Sequence, residues 1–163
     1  MLTLSIRRFT IATVGLFALA LTVACQGQAG APDADDPVAI TIEPDGNNMS
    51  YAETEFTVAP GQTVELTFSN TATSSAMVHN VVILNTLDNE VADRVGMAGM
   101  QAGEEHDFIP EDEAILAHTP LAQPGETVEV EFTAPDEPGE YRYLCTFPGH
   151  SSMMRGTMVV STE

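Results

Sequence analysis

The stretch Cys145-Thr146-Phe147-Pro148-Gly149-His150-Ser151-Ser152-Met153-Met154 lies near the end of a chain of 163 residues. It contains a thiol, an imidazole and two thioethers, and its Pro-Gly pair predicts a tight turn between the thiol and the imidazole. Alternating residues lead into and out of it, with one face formed by Tyr141, Tyr143 and Cys145 and the next by Met154, Gly156, Met158 and Val160. The stretch is therefore predicted to connect two strands of a β-sheet.

The same alternation of apolar and polar residues extends outward through most of the chain. It predicts strands at 38–42, 49–58, 63–68, 78–84 and 127–132, with a further candidate along a sheet edge at 115–118. Turn sequences rich in proline, glycine and asparagine separate several of these segments. Together with the two strands beside the opening stretch, roughly seven or eight short strands predict an all-β fold, an antiparallel sandwich of two sheets.

One helical flap is predicted after the strand at 78–84. That strand is apolar on both faces, so it needs cover on both sides. A helix is indicated by apolar residues at four-residue spacing, namely Leu87, Val91 and Val95. We expect Thr86 to cap the helix, Glu90 to pair with Arg94, and Gly96 to end it.

Cysteine, histidine and methionine side chains suit copper, and two His, one Cys and a weak axial Met form the blue-copper electron-transfer set. The opening stretch provides Cys145, His150 and a methionine, so one histidine is missing. His79, at the start of the strand predicted to be central, is the strongest candidate for it. Strand alternation favours Met154 over Met153, because Met154 shares the inward face of the following strand. The remaining histidines, His106 and His118, are interpreted as surface or structural groups.

These residues resemble the azurins, within the cupredoxin family, and the similar auracyanins. The resemblance is carried by the opening stretch, the pair His79-Asn80 and the segment Ala117-His118-Thr119-Pro120-Leu121, and it covers roughly residues 38–160. It implies a cupredoxin-like Greek-key sandwich with one copper ion. By resemblance, the strong ligands would be His79, Cys145 and His150, with Met154 as the weak axial ligand and the backbone carbonyl of Val78 as a distant contact.

The resemblance also implies roles for neighbouring residues. Asn80 would bond to the ligand loop and fix its orientation, and backbone N–H groups of Phe147 and its neighbours would bond the Cys145 sulfur. An apolar rim around His150 would be formed by Met77, Phe147 and Pro148. The chain also departs from the azurins, which have glycine at the position of Val78 and often an aromatic residue at that of Val81. It lacks their lysines and their N-terminal disulfide.

The N-terminus is predicted to be an export signal. Residues 1–24 combine Arg7 and Arg8 with a long apolar run, which indicates a signal peptide of the lipoprotein type with Cys25 as the acylated residue. Cleavage without lipid and an uncleaved anchor are the alternatives. Residues 25–37 are predicted to form a flexible tether, and residues 38–163 are predicted to form the copper domain. A Cys25–Cys145 disulfide is disfavoured, because Cys145 ends a strand predicted to lie in the core.

Charge restricts the possible partners. All 24 acidic residues follow residue 24, whereas only three arginines and no lysine do, and the full chain has a formal charge of −19. Nucleic acid is therefore an unfavourable partner, and so is an anionic membrane surface apart from the lipid anchor. Two explanations stay open: a surface adapted to high salt, which the even spread of acids favours, and an acidic docking face for a basic redox partner.

The predicted function is that of an exported one-electron carrier, monomeric and not an enzyme. Its redox partners would be a cytochrome or a quinol-oxidising complex, and it would act at the periplasmic or cell-surface face of a membrane. Copper chaperoning or storage is the alternative, indicated by the methionines Met97, Met100, Met153, Met154 and Met158. A lipoprotein scaffold with a vestigial site is the third possibility.

Overall fold

The computed structural model describes residues 36–162, and the predicted signal peptide, Cys25 and most of the tether lie outside them. The described chain forms eight strands, one α-helix and one 3-10 turn. The strands are β1 (Val38–Ile42), β2 (Glu55–Val58), β3 (Thr63–Ser69), β4 (Val82–Leu84), β5 (Ile115–His118), β6 (Thr127–Thr133), β7 (Gly139–Leu144) and β8 (Arg155–Val160). The helix α1 is Asn89–Ala102, and the 3-10 turn is Glu104–His106.

The strands form two sheets, so the predicted all-β sandwich with an inserted helical flap is confirmed. One sheet has the order β1-β3-β6, and the other has the order β2-β8-β7-β4-β5. The predicted antiparallel pairing holds for four of the six strand pairs, whereas β1 runs parallel to β3 and β2 runs parallel to β8. Alternation could not reveal this, since a strand with one buried face shows the same period of two in either direction.

The core lies between the two sheets and follows the predicted alternation. Its largest fully buried side chains include Ile42, Leu66, Phe68, Tyr143, Met154 and Met158. A second cluster lies on the other side of β4, where Val82 and Leu84 pack with Ala92 and Val95 of α1. The helix therefore gives β4 its second cover, as predicted. Burying a side chain of this kind stabilises the fold by about 1.5–3 kcal/mol.

The helix differs from its predicted limits. Asp88 rather than Thr86 is the N-cap, since its side chain accepts a hydrogen bond from the Glu90 N–H. The helix continues through Gly96 and ends before Gly103. Arg94 pairs with Asp112 instead of Glu90. Among residues 36–162, no helix is both long and apolar enough to span a membrane.

Candidate metal centre

Three buried side chains converge at one end of the sandwich. Regular pairing in β4 begins only at Val82, later than predicted, and His79 lies before it. An isolated bridge to Ala122 holds His79 there, with backbone N···O distances of 3.2 and 2.8 Å. Cys145 directly follows β7, and His150 lies in the loop that leads to β8. The topology thus brings one residue of the β4 segment against the β7–β8 loop.

The donor atoms of these residues form a compact triangle. His79 Nδ1 lies 3.1 Å from His150 Nδ1, and Cys145 Sγ lies 3.9 Å from the first and 3.7 Å from the second. All three residues are buried, and they form the only metal-competent group of three or more His, Cys, Asp or Glu side chains within residues 36–162. A point equidistant from the three atoms is about 2.1 Å from each, close to the ~2.0–2.1 Å of a metal–imidazole bond.

The electrostatics of the triangle fit a soft cation. Burial, and secondarily His150, lowers the pKa of His79 to about 4, and burial also lowers the pKa of His150. Both imidazoles are therefore neutral at pH 7 and have a lone pair to donate. Burial raises the pKa of the Cys145 thiol to about 12, although backbone N–H groups of Asn80 and Phe147 bond its sulfur. A thiolate is stable in this setting only beside a positive charge, which a bound metal ion supplies.

The two candidate axial methionines lie in opposite environments. Met154 is completely buried, whereas Met153 is 56% exposed. Backbone bonds place Met154 beside the triangle: its carbonyl accepts the Cys145 N–H at 3.1 Å, and its N–H donates to the His150 carbonyl at 2.9 Å. The structure therefore places Met154, and not Met153, on the core side of the loop.

Asn80 joins the two halves of the site, as predicted. Its side-chain oxygen accepts the Thr146 N–H at 2.9 Å, and its amide nitrogen donates to Thr146 Oγ1 at 2.9 Å. The same nitrogen also donates to the carbonyl of Asp107 at 3.1 Å, which the sequence did not indicate. Asp107 and Phe108 both have positive φ angles, 52° and 55°, a conformation that side chains other than glycine rarely adopt.

Aromatic rings surround the histidines. The centroid of the Phe147 ring lies 5.0 Å from that of His150 and 5.3 Å from that of Phe108. The Phe68 and His79 rings pack edge to face, with their centroids 6.3 Å apart. Only 4% of His150 is accessible, although Pro148 beside it is exposed. Of the two backbone N–H groups that oppose the rise in the Cys145 pKa, that of Phe147 was predicted to bond the sulfur and that of Asn80 was not.

The remaining predicted residues stay outside the triangle. Val78 is buried directly before His79, and the contact of its carbonyl stays a prediction. His106 and His118 are exposed, in agreement with their interpretation as surface or structural groups. His118 Nδ1 lies 3.4 Å from the carbonyl of Thr119, and neither histidine joins the convergent group.

Comparison with known proteins agrees with this geometry. Residues 38–161 match the model of a family described as copper binding proteins, plastocyanin/azurin family. The chain is 38% identical to auracyanin-A of Chloroflexus aurantiacus over 154 residues, covering 90% of this chain and 93% of that protein. It is 36% identical to azurin of Pseudomonas chlororaphis over 122 residues, covering 70% and 91% of the two chains.

Solved structures show the same likeness. Auracyanin A of Chloroflexus aurantiacus, described as a blue copper protein, superposes with a TM-score of 0.72 at 40% identity, covering 77% of this chain and all of that one. Reduced auracyanin of Roseiflexus castenholzii superposes with a TM-score of 0.69 at 42% identity, covering 76% and 96%. With its convergent His, His and Cys donors, the chain belongs to the plastocyanin/azurin family of copper-binding proteins.

Proposed function

We propose that the protein is an extracytoplasmic one-electron carrier that cycles a single copper ion between Cu(I) and Cu(II). The observation that carries the proposal is the buried triangle of His79, Cys145 and His150, with Met154 buried beside it. These residues would hold the ion, and copper would supply the one-electron couple. No substrate-binding or catalytic role is proposed.

The protein contributes a rigid arrangement of donors. His79 is held by its bridge to Ala122, and Cys145 by its backbone bond to Met154, whereas Asn80 connects the two segments. None of these bonds uses a proposed donor atom, so they persist whatever the charge at the site. A donor set that moves little between redox states needs little reorganisation, which favours fast electron transfer. The edge of His150 beside Pro148 offers a short route to a partner.

The optical spectrum tests this function. Addition of Cu(II) to the apoprotein should produce an intense visible band, because charge transfer from a cysteine thiolate to Cu(II) absorbs visible light. Cys145→Ser should abolish the band, and a redox titration of the wild type should show one reversible one-electron step. A colourless Cu(II) protein, or a band that survives in C145S, would contradict the proposal.

Partners and location are part of the same proposal. We infer that the protein is exported and that Cys25 carries lipid. We also infer that the protein is a monomer and that it exchanges electrons with a cytochrome or a quinol-oxidising complex. Mass spectrometry of the mature N-terminus, with Cys25→Ser as the control, tests the lipid.

Stopped-flow reduction by candidate donors at varied salt tests whether the acidic surface is a docking face for a basic partner. A reduction rate that falls steeply with salt supports docking, and a rate that does not change with salt favours adaptation to high salt.

Copper storage or transfer is the second candidate, and the observation behind it is a set of exposed thioethers. Met97, Met100 and Met153 are 56%, 50% and 56% exposed. Exchangeable copper carriers need accessible donors of this kind, whereas the proposed ligands are buried. Binding of more than one Cu(I) per chain, with rapid release to a competing chelator, would support this function. A single tightly held copper would exclude it.

A further inference from the structure

Each of the three arginines of the folded region bonds helix α1, or the residues directly before it, to the rest of the molecule. Arg94 pairs with Asp112, and Arg142 donates to the carbonyl of Leu87 and to Asn89 at 3.5 and 3.3 Å. Arg155 pairs with Asp93 of the helix and lies 3.4 Å from Asn89. The sequence after residue 24 contains no other arginine and no lysine. All of its Lys and Arg side chains therefore form contacts of helix α1 or of the residues directly before it.

Arg155 differs from the other two arginines because it also contacts the ligand loop. Its Nε donates to the carbonyl of Ser151, one residue after His150, and it directly follows Met154 in sequence. The side chain is only 15% exposed, and its planar guanidinium bonds the helix and the loop at once. Arg155 therefore connects α1 to the turn that lies between two proposed copper ligands.

Helix α1 also approaches the loop closely enough to require glycine. A Cβ at Gly96 would lie 2.4 Å from Ser151 Oγ, and a Cβ at Gly99 would lie 2.5 Å from the Phe108 carbonyl oxygen and 3.1 Å from Thr146 Cβ. The helix thus touches the loop at Thr146 and at Ser151, which lie on either side of Phe147–His150. The hydrogen bond from Arg155 and the close approach of Gly96 meet at the same residue, Ser151.

We propose that Arg155 is a positioning residue, which uses helix α1 as a fixed support to hold the Ser151–Met154 turn and with it the axial methionine. The proposal rests on the ligand set of the proposed function. An axial thioether binds copper weakly and from a distance, so the protein, and not the metal, sets its position. The bonds from the N–H groups of Met153 and Met154 to the His150 carbonyl close the turn, and Arg155 fixes the orientation of that turn on the helix.

The test compares Arg155→Met with Arg94→Met. Each variant removes one cation and one tie between α1 and the body while keeping an apolar stem, but only Arg155 touches the ligand loop. Amide hydrogen exchange of the apoprotein should show Met153 and Met154 exchanging about tenfold faster in R155M, which corresponds to about 1.4 kcal/mol of local opening free energy. R94M should leave these two amides unchanged. The Cu(II)-loaded R155M protein should also show an altered visible spectrum.

Equal acceleration of the two amides in R94M and R155M would overturn the proposal, and so would no change in R155M. Arg155→Lys is the second variant, for use if R155M does not fold. It keeps the charge but loses the fork, so its exchange rates should lie between those of the wild type and R155M. Because exchange is measured without copper, failure of this proposal is distinct from failure of the proposed function, which a colourless Cu(II) protein would reveal.

Discussion

At the scale of single residues, the two adjacent methionines of the ligand loop offer a direct comparison. Met154→Leu should change the visible spectrum and the reduction potential of the copper protein, because it removes the proposed axial thioether from a buried position. The cost in folding stability should stay below about 1.5 kcal/mol, since the two side chains have similar volumes. Met153→Leu alters an exposed side chain and is the control. A spectral change in M153L alone would assign the axial role to Met153.

Asn80 is the residue whose loss should affect stability and metal binding together. In Asn80→Ala the Thr146 N–H and the Asp107 carbonyl lose their buried partner, which should cost about 2–4 kcal/mol in the free energy of unfolding. Copper affinity should fall about 10–100-fold, as for other groups that orient metal ligands. Urea denaturation of the apoprotein and competitive metal titration measure the two effects. Asn85→Ala removes an exposed bond to Glu113 and should leave metal affinity unchanged.

At the scale of elements, helix α1 contains glycines that allow close packing against neighbouring segments, although glycine has a low helix propensity. Gly99→Ala should destabilise the protein by about 1–3 kcal/mol, because the new methyl group meets the Phe108 carbonyl at 2.5 Å. Propensity alone predicts the opposite sign, a gain of about 0.5–1 kcal/mol. Met100→Ala on the exposed face of the same helix should lie within about 0.5 kcal/mol of the wild type. Thermal and urea unfolding provide the comparison.

The contact of α1 with the segment before β5 should make stability depend on pH. The Ala114 N–H, and after it Arg94, lowers the pKa of Asp112, although burial opposes them. A lowered carboxyl pKa stabilises the fold above the unfolded value near 4, and this stability is lost as the pH falls through the folded value. Asp112→Asn should therefore be less stable by about 1 kcal/mol at pH 7. The difference between D112N and the wild type should shrink as the solution is acidified, and a constant difference would contradict this account.

The same elements show how far the sequence determined the fold. Strand alternation identified the inner faces, because the fold buries one side of most strands, and it correctly predicted Met154 to be the buried methionine. Local sequence predicts a helix end at Gly96, because the close contact of this glycine with Ser151 is not visible in it. The types and order of the donor residues predicted that His79, Cys145 and His150 would come together, and the resemblance to a family supplied the role of each as a copper ligand. The contacts of Arg155 and Asp107 join segments far apart in the chain, so no local pattern reports them.

At the scale of the whole molecule, acidic repulsion should make stability increase with salt. On the β3–β6 pair Glu65 lies directly opposite Glu131, without a nearby cation on either strand. Like charges in this position are destabilising, so Glu131→Gln should raise stability by about 0.2–1 kcal/mol at low salt. The gain should shrink at about 1 M NaCl, where the screening length is about 3 Å.

Glu111→Gln is the control for that variant, because it removes one exposed charge outside the strand pairs. It should show less than half the gain of E131Q at low salt. Equal gains in the two variants would mean that total charge, and not the facing pair, sets the effect. Urea denaturation at several salt concentrations measures both variants.

The wide separation of His79 from the other donors has a consequence for folding. Cys145, His150 and Met154 lie within ten residues, so an unfolded chain already contains a short chelating peptide, whereas His79 joins it only when β4 and β7 pair. Copper bound by the unfolded chain subtracts from the stabilisation that the metal gives the native state. His79 is thus the donor that lets copper distinguish the folded protein from its unfolded chain, and metal added before folding risks capture by an incomplete site.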